Sequence, residues 1–314
     1  PKDRAELSTW RTIGSTLANM VIGVATPMVA YVVVDGKTVM SGSRMTIIAG
    51  VFSICAILCY IVCFKLTRER VEVPASSQKV SASAIFKSIF TNRALLGIIV
   101  AAIFVLLSQL TVMSLAGYVY PNVYGSAAAQ STASLLGTVV MLIVCAPFAS
   151  KLAAKFGKKE LAVASSICSA LVWLVCLIWR PASVWGFVAC YILANIGMGF
   201  FNAIIWAMIT DVIDDAEVRS GIREDGTIYS VYSFARKLGQ AFSSGLVGAL
   251  LGIIGYTEAT AFDPAVTRGI FNMACIAPII GFVCIVLALV FLYPLNKKKV
   301  EENVAALAAR RNSK

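Results

Sequence analysis

Long runs of apolar residues with almost no charge dominate the chain. Eight such windows cover approximately residues 12–34, 45–64, 95–117, 130–149, 161–179, 184–210, 228–254 and 270–292. Uncharged windows of about 18 residues or more indicate spanning helices, because about 20 residues of α-helix cross roughly 30 Å of hydrocarbon. Membrane-spanning β-strands are shorter and alternate apolar with polar residues. The pattern therefore predicts an all-α polytopic membrane protein with eight transmembrane helices.

The basic residues are distributed unevenly between the two sides of these helices. Of the 314 residues, 59% are apolar and 14% are charged, and the net charge is +11. With residue 1 placed in the cytoplasm, only four of the 27 Lys and Arg lie outside, namely Lys37, Arg44, Arg180 and Arg268. This asymmetry is the positive-inside rule. It predicts a multi-pass protein of the cell inner or plasma membrane, embedded in a lipid bilayer with both termini cytoplasmic, and no nucleic-acid partner.

The chain lacks the residues of most catalytic and metal sites. It has no His, and its nine Cys lie almost entirely within the apolar windows without a CxxC motif. They are interpreted as small packing residues, so no metal site or cofactor is predicted. The chain contains no HExxH or GxSxG motif, and none of the 16 Asp and Glu lies inside a window. An enzyme is therefore excluded at this stage.

One long polar connector divides the chain unequally. Two apolar windows precede it and six follow, and transporters are commonly built of paired repeats around a midplane site. The predicted regions are residues 1–64, the last two helices of an N-terminal half; 65–93, a central cytoplasmic loop; 94–296, a six-helix C-terminal half; and 297–314, a cytoplasmic tail. Because the chain starts with PKDRAELSTWR and lacks an initiator Met, we expect it to begin within a longer protein.

Two adjacent cations, Arg236 and Lys237, lie within the seventh window. Lys237 is about ten residues, or roughly 15 Å, from the start of the window, which is close to the bilayer midplane. A cation there costs about 2.5 kcal/mol or more and normally faces the interior of a helix bundle or a wet cavity. Residues at helical spacing form one polar stripe, Ser230, Ser233, Lys237, Gln240 and Ser244, and a neighbouring stripe holds Tyr229, Tyr232 and Arg236. We predict that Lys237 lines a cavity, whereas Arg236 either lines it or anchors the helix bundle.

The preceding window carries polar and aromatic residues at a similar depth. Asn202 and Trp206 share one helical face, with Asn202 near the midplane. An intramembrane Asn commonly joins helices by hydrogen bonds. Alternatively, Asn202 and Trp206 contact a sugar, because rings stack on sugar C–H faces and amides bind sugar hydroxyls. Both interpretations remain open.

An acidic cluster follows in DVIDDAEVRSGIRE. Asp211, Asp214 and Asp215 crowd the end of a helix, where the helix dipole disfavours negative charge. Basic residues are expected to compensate them, either Arg219 and Arg223 nearby or cations of the other half. In the second case Asp211, Asp214, Arg219 and Arg223 form a cytoplasmic gate, and in the first they form local pairs.

Two segments resemble the glycoside-pentoside-hexuronide:cation symporters, the family of the melibiose carrier in the major facilitator superfamily. They are DVIDDAEVRSGIREDGTIYSVYSFARKLGQAF and DRAELSTWRTIGSTLANM, within a resemblance that covers the whole chain. The basic turn PFASKLAAKFGKKEL also resembles a turn of the superfamily, without its usual Asp and Arg. Family members have twelve helices, so the resemblance implies that the eight windows are helices five to twelve.

The resemblance also implies roles for individual residues. Lys237 corresponds to a lysine at the substrate cavity, Ser233 and Tyr232 to its polar neighbours, and Arg11 to an arginine that contacts sugar hydroxyls. Asn202 replaces a family tryptophan, which leaves the identity of the sugar open. In the family, acidic residues on the first, second and fourth helices bind the coupling Na⁺ or H⁺. The cation site is therefore expected outside this chain.

Three functions remain after these arguments. The first is a sugar or glycoside:cation symporter that works by alternating access. The second is a carrier of anionic substrates such as hexuronates, for which Arg236 and Lys237 are direct ligands. The third is a non-transporting remnant of a truncated gene.

Overall fold

The computed structural model describes residues 2–34, 37–66, 92–221 and 225–312. Within these ranges the chain forms ten α-helices and one β-hairpin. The helices are α1 (Lys2–Ala30), α2 (Gly42–Leu66), α3 (Arg93–Tyr118), α4 (Ala127–Val140), α5 (Ala146–Phe156), α6 (Lys158–Trp179), α7 (Val184–Ser220), α8 (Asp225–Ile253), α9 (Pro264–Leu287) and α10 (Lys297–Asn312). Single π-helical turns, Val119–Val123, Met141–Cys145 and Ala288–Leu292, follow α3, α4 and α9.

The predicted all-α membrane architecture is confirmed in part. Six helical segments of the described chain are long and apolar enough to cross a membrane, namely Gly42–Leu66, Arg93–Val123, Ala127–Cys145, Lys158–Trp179, Val184–Ser220 and Pro264–Leu292. The other two predicted windows also lie on helices. One is α1, with a shorter apolar stretch Leu17–Ala30. The other is α8, which carries the polar stripe within its length. Most of the predicted loop 65–93 lies outside the described residues.

The β-hairpin is a feature that hydropathy alone did not predict. Strands β1 (Tyr31–Val34) and β2 (Lys37–Met40) pair antiparallel, with Tyr31 opposite Met40. The signal in the sequence is YVVVDGKTVM, in which β-branched residues flank an Asp-Gly pair typical of hairpin turns. The first helix therefore ends at Ala30, earlier than the window 12–34 predicted.

Local signals set several helix boundaries. The Asn92 side chain accepts hydrogen bonds from the backbone N–H groups of Ala94 and Leu95, and it thereby caps the start of α3. Gly157, at φ 107°, separates α5 from α6, and Gly221, at φ 75°, ends α7. Glycine suits both positions because positive φ costs other residues steric energy.

The core of the six-helix region is centred on α3, which packs against α8 and α9. A Cβ on Gly239 of α8 would lie 2.9 Å from the carbonyl oxygen of Ile103, so α8 and α3 approach closely at this glycine. On the facing side of the core, α6 packs against both α7 and α9. Small residues allow such contacts in membranes, where packing rather than hydrophobicity drives helix association.

The first two helices are joined to this region through α1 and the hairpin. The Tyr31 hydroxyl donates a 2.8 Å hydrogen bond to the carbonyl of Gly117 at the end of α3. The Thr38 hydroxyl donates to the carbonyl of Gly125, at 3.1 Å. Within the membrane-spanning part, the Ser131 hydroxyl of α4 donates to the carbonyl of Val24 in α1, at 3.2 Å. The packed helices α1, α4, α7 and α8 thus form a continuous series.

Candidate functional site

Helix α8 has two chemically different faces. One face is buried against α3 and consists mainly of apolar and small residues, Ile228, Val231, Tyr232, Ala235, Gly239, Ser243 and Val247. Every residue of the predicted polar stripe is exposed in the described structure, that is Ser230, Ser233, Lys237, Gln240 and Ser244. The stripe therefore lies together on the side of α8 that is not used for packing on α3.

The Lys237 side chain is exposed at the centre of this stripe. Its ammonium group has no carboxylate within 4.0 Å and no hydrogen bond to any residue in the described ranges. The hydroxyls of Ser230 and Ser244 donate only to carbonyls of their own helix, those of Gly226 and Gln240. An ammonium near the midplane of a bilayer needs water or a polar ligand. The described contacts thus leave the charge of Lys237 available for a solute.

Arg236 belongs to a cluster of aromatic residues between α7 and α8. Its guanidinium lies 5.7 Å from the ring centroid of Trp206 and 5.8 Å from that of Tyr232, within cation–π range. Its Nη1 also donates to the Tyr232 hydroxyl, at 3.4 Å. Trp206 meets Tyr232 edge to face and stacks on Tyr229. These contacts give Arg236 an anchoring role between the two helices.

The aromatic cluster is open on one edge. Trp206 is 44% exposed and Tyr229 is 39% exposed, whereas Tyr232 is fully buried. Asn202 is half-buried one turn before Trp206 on the same face of α7. Trp206 of α7 contacts Tyr229 and Tyr232 of α8, so its ring lies on the helix next to the one that carries the polar stripe. The backbone of Arg11 lies in α1, but its side chain falls outside the described part of the chain.

The acidic cluster makes specific pairs at the end of α7 nearest to α6 and α10. Lys158 of α6 donates a 2.6 Å hydrogen bond to Oδ1 of Asp211, a residue that is only 5% exposed. The second oxygen of Asp211, Oδ2, is buried without a hydrogen-bond partner among the described residues. Asp214 is half-buried, and Arg223 lies outside the described residues. Sequence reasoning placed Lys158 in a basic turn without identifying Asp211 as its partner.

Asp215 connects α7 to the C-terminal helix. Its carboxylate accepts hydrogen bonds from Arg219 and, at 3.0 Å, from Nδ2 of Asn303 in α10. Arg310 of α10 donates to the carbonyls of Glu217 and Val218 in the last turns of α7. For residues 297–314 the sequence predicts only a cytoplasmic tail. The feature of the sequence that indicates a packed helix here is the helical spacing of Val300, Asn303 and Leu307, of which the last two are buried.

A family model described as MFS/sugar transport protein matches residues 1–297. The uncharacterized symporter YjmB of Bacillus subtilis (strain 168) is 29% identical over 303 residues, which are 95% of this chain and 64% of that protein.

Two further relatives carry more specific names. The glucuronide carrier protein homolog of Escherichia coli (strain K12) is 27% identical over 83% of this chain and 56% of its own length. The isoprimeverose transporter of Lactiplantibacillus pentosus is 24% identical over 98% of this chain and 66% of its own length. The chain thus spans less than two thirds of the length of these three relatives.

The match extends over nearly the whole chain and includes the α7–α8 segment that carries the site. The family is one of transporters, which confirms that the chain is not an enzyme. The chain belongs to the MFS/sugar transport protein family, as its resemblance to the glycoside-pentoside-hexuronide:cation symporters predicted.

Proposed function

We propose that the full-length protein is a secondary active transporter that carries a sugar or glycoside together with a cation by alternating access. The observation that carries the proposal is the exposed Lys237 ammonium, which has no partner among the described residues, on the polar face of α8. A cation at the bilayer midplane is tolerated where it borders a hydrated path for a solute. The name of the isoprimeverose transporter supports a sugar substrate for this chain as well.

The proposed binding site combines stacking with hydrogen bonding. Trp206 is 44% exposed and offers aromatic surface for the C–H face of a sugar ring, and Asn202 and Lys237 supply donors for its hydroxyls. Arg236 and Tyr232 both contact the Trp206 ring and hold it in place. The complete proposed set is Lys237, Ser233, Tyr232, Arg236, Asn202, Trp206 and Arg11. The coupling Na⁺ or H⁺ is bound by helices of the full-length protein that this chain does not include.

A carrier of anionic substrates is the second candidate. The two adjacent cations on α8 favour it, and so does the name of the glucuronide carrier protein homolog. Arg236 already contacts two aromatic rings, so of the two α8 cations Lys237 is the one without a partner among the described residues.

Uptake by the full-length gene product in proteoliposomes tests both candidates. Neutral glycosides and hexuronates are compared under inward Na⁺ and inward proton gradients. Gradient-driven uptake of neutral glycosides, unaffected by excess hexuronate, supports the first candidate. Uptake restricted to hexuronates supports the second, and no uptake of either class under any gradient contradicts transport of these substrates and favours a remnant.

The acidic cluster is the cytoplasmic gate in this proposal, formed by Asp211, Asp214, Arg219 and Arg223. The Oδ2 oxygen of Asp211 supports it, because this buried acceptor has no partner among the described residues and is available to a cation in another conformation. In the described conformation Lys158 pairs with Asp211, and Arg219 pairs with the neighbouring Asp215. These local pairs hold the two carboxylates in position.

Neutralising the gate is expected to favour the inward-open state. In the double variant Asp211→Asn with Asp214→Asn, the carboxylates no longer attract cations across the cytoplasmic end. A cysteine engineered at Ser230 in a cysteine-free background should then react severalfold faster with a maleimide added from the cytoplasmic side. The matched control is Glu301→Gln with Glu302→Gln, two exposed carboxylates of α10. Equal labelling rates in both double variants contradict a gate at the acidic cluster.

Loss of the Tyr31 hydroxyl is expected to favour opening at the opposite end. Tyr31→Phe removes the hydrogen bond to Gly117, worth about 0.5–1.5 kcal/mol, which corresponds to a roughly 2- to 10-fold shift in population. A cysteine placed at Gln130 should react correspondingly faster with an impermeant maleimide added from outside. Tyr60→Phe serves as control, because Tyr60 is 78% exposed on α2. Equal rates in the two variants argue against a closing role for Tyr31.

A further inference from the structure

A pocket lies at the other end of the helices from the acidic cluster. It has a volume of about 360 Å³ and is lined by residues that follow α3, α6 and the α8–α9 connection, including Tyr124, Arg180, Pro181, Arg268 and Phe271. Small-molecule sites have volumes of about 300–1,000 Å³, so the pocket has room for a compact ligand. The proposed substrate site does not include any of these residues.

The two arginines of this pocket are unusual for their position. Topology predicts only four cations on the outer side, and two of them, Arg180 and Arg268, meet here. Neither guanidinium has a carboxylate within 4.0 Å among the described residues, although Asp263 directly precedes α9. Two guanidinium groups without a nearby carboxylate repel one another. A bound anion offsets this repulsion and accepts charge-assisted hydrogen bonds from both.

The backbone of Arg180 adds an independent observation. Arg180 ends α6 in the left-handed conformation, with φ 48°, and is the one non-glycine residue with positive φ in the described chain. Glycine or asparagine normally occupies this position at a helix end. An arginine kept in a strained conformation suggests a function for its side chain. Its Nη2 donates to Oδ1 of Asn272 in α9, at 3.2 Å, which directs the guanidinium toward α9.

The remaining walls of the pocket match an anionic group with an apolar extension. Pro264 and Thr267 in the first turn of α9 line the pocket, and so does Arg268 in the next turn, so the positive end of this 24-residue helix borders the pocket. The Tyr124 hydroxyl donates to the carbonyl of Pro181, at 3.0 Å, and fixes the turn that carries Arg180. The ring of Phe271 supplies an apolar wall.

The pocket lies at the depth of a membrane–water interface. Helix α6 has 22 residues, so Arg180 is about 33 Å along the helix axis from Lys158, roughly the thickness of the hydrocarbon layer. Trp179 directly precedes Arg180 in the chain and Trp185 follows Ala182 by three residues, and these two tryptophans are 61% and 57% exposed. Exposed tryptophans at this depth are typical of the headgroup region.

We propose that Arg180 and Arg268 form a binding site for a phosphate group, at the membrane–water interface on the predicted outer side of the protein. Its occupant is the headgroup of an anionic phospholipid. The acyl chains of such a lipid would lie along the exposed apolar side chains near Trp179. The site is separate from the proposed sugar cavity and does not depend on the transported substrate.

Lipid retention by the full-length gene product tests the proposal. The protein is reconstituted in equimolar phosphatidylcholine and phosphatidylglycerol, re-extracted in detergent, and the bound lipids are counted by native mass spectrometry. Arg180→Gln with Arg268→Gln should reduce retained phosphatidylglycerol about tenfold or more, because two charge-assisted contacts are lost. The control Lys37→Gln with Arg44→Gln removes the other two outer cations and should retain phosphatidylglycerol at the wild-type level. Equal retention in the two double variants overturns the lipid assignment.

A second arm separates a lipid from a soluble phosphate compound and from a purely structural arginine. Inorganic phosphate is added to protein in phosphatidylcholine alone, and stabilisation that requires both arginines would assign the pocket to a soluble phosphate and overturn the lipid. Arg180→Gly relieves the backbone strain, so its Tm should equal or exceed that of the wild type while phosphatidylglycerol retention falls. Unchanged retention in Arg180→Gly contradicts a ligand role for this side chain.

Discussion

Replacing Lys237 with alanine in the full-length gene product is expected to weaken substrate binding strongly while membrane insertion continues normally. A hydrogen bond to a charged group is worth about 1.5–3 kcal/mol, so the dissociation constant should rise by about 10- to 150-fold. Insertion should be unaffected or improved, because a cation at mid-membrane costs about 2.5 kcal/mol or more. Calorimetric titration of the transported glycoside into purified protein measures the first effect, and membrane fractionation measures the second.

The control for this experiment is Lys298→Ala. Lys298 is an exposed lysine at the start of α10, so the control removes the same charge away from the proposed cavity. Its dissociation constant should match that of the wild type. A Lys237→Ala protein that binds substrate with wild-type affinity would rule out contact between the ammonium and the solute, and with it the cavity assignment.

Replacing Asp215 with alanine is expected to destabilise the protein and release α10 from α7. Asn303 is only 3% exposed and loses its acceptor, which costs about 1–3 kcal/mol. Arg219 is about half exposed and regains water, so the loss of its ion pair contributes less. At about 2–4 °C per kcal/mol, the Tm should fall by roughly 2–12 °C. Thermal unfolding in detergent, followed by tryptophan fluorescence, gives the value, and proteolysis within α10 should accelerate.

Glu302→Ala provides a surface comparison for Asp215→Ala. Glu302 pairs with Lys299 at 3.5 Å, and both side chains are half exposed. Such a pair is worth about 0–1 kcal/mol, so the Tm should change by less than about 3 °C. A matching Tm in the Asp215→Ala and Glu302→Ala proteins would mean that the Asp215–Asn303 contact does not hold α10. The double variant Asp215→Ala with Asn303→Ala should then be additive, whereas a real contact makes it less than additive.

The features behind these two predictions differ in their separation along the chain. The residues of the Lys237 stripe are close together in sequence, whereas Asp215 and Asn303 are far apart. The stripe around Lys237 repeats at helical spacing within 15 residues, so the sequence was sufficient to group Ser230, Ser233 and Lys237 on one face. The contact between Asp215 and Asn303 joins residues 88 positions apart. No local pattern distinguishes that partner from other polar residues of the C-terminal region.

Arg236 illustrates the same limit within one helix. Its position on α8 followed from the sequence, but two roles remained open, because its partners were on another helix. The structure brings Trp206 of α7 within 5.7 Å of the guanidinium and thereby favours anchoring. Lys158 is a similar case, since the positive-inside rule explained its charge without indicating that it pairs with Asp211.

The sequence by itself determined that this chain is a helical membrane protein of a transporter family, and it predicted a midplane cation on α8. It did so because hydropathy and helical spacing are properties of short segments, and because water is absent from the hydrocarbon layer. Only the tertiary structure decided which charges are paired, where the β-hairpin contacts α3, how α10 lies on α7, and that Arg180 and Arg268 share a pocket. Those features arise from contacts between distant segments, whose free energy depends on the packing of the whole bundle.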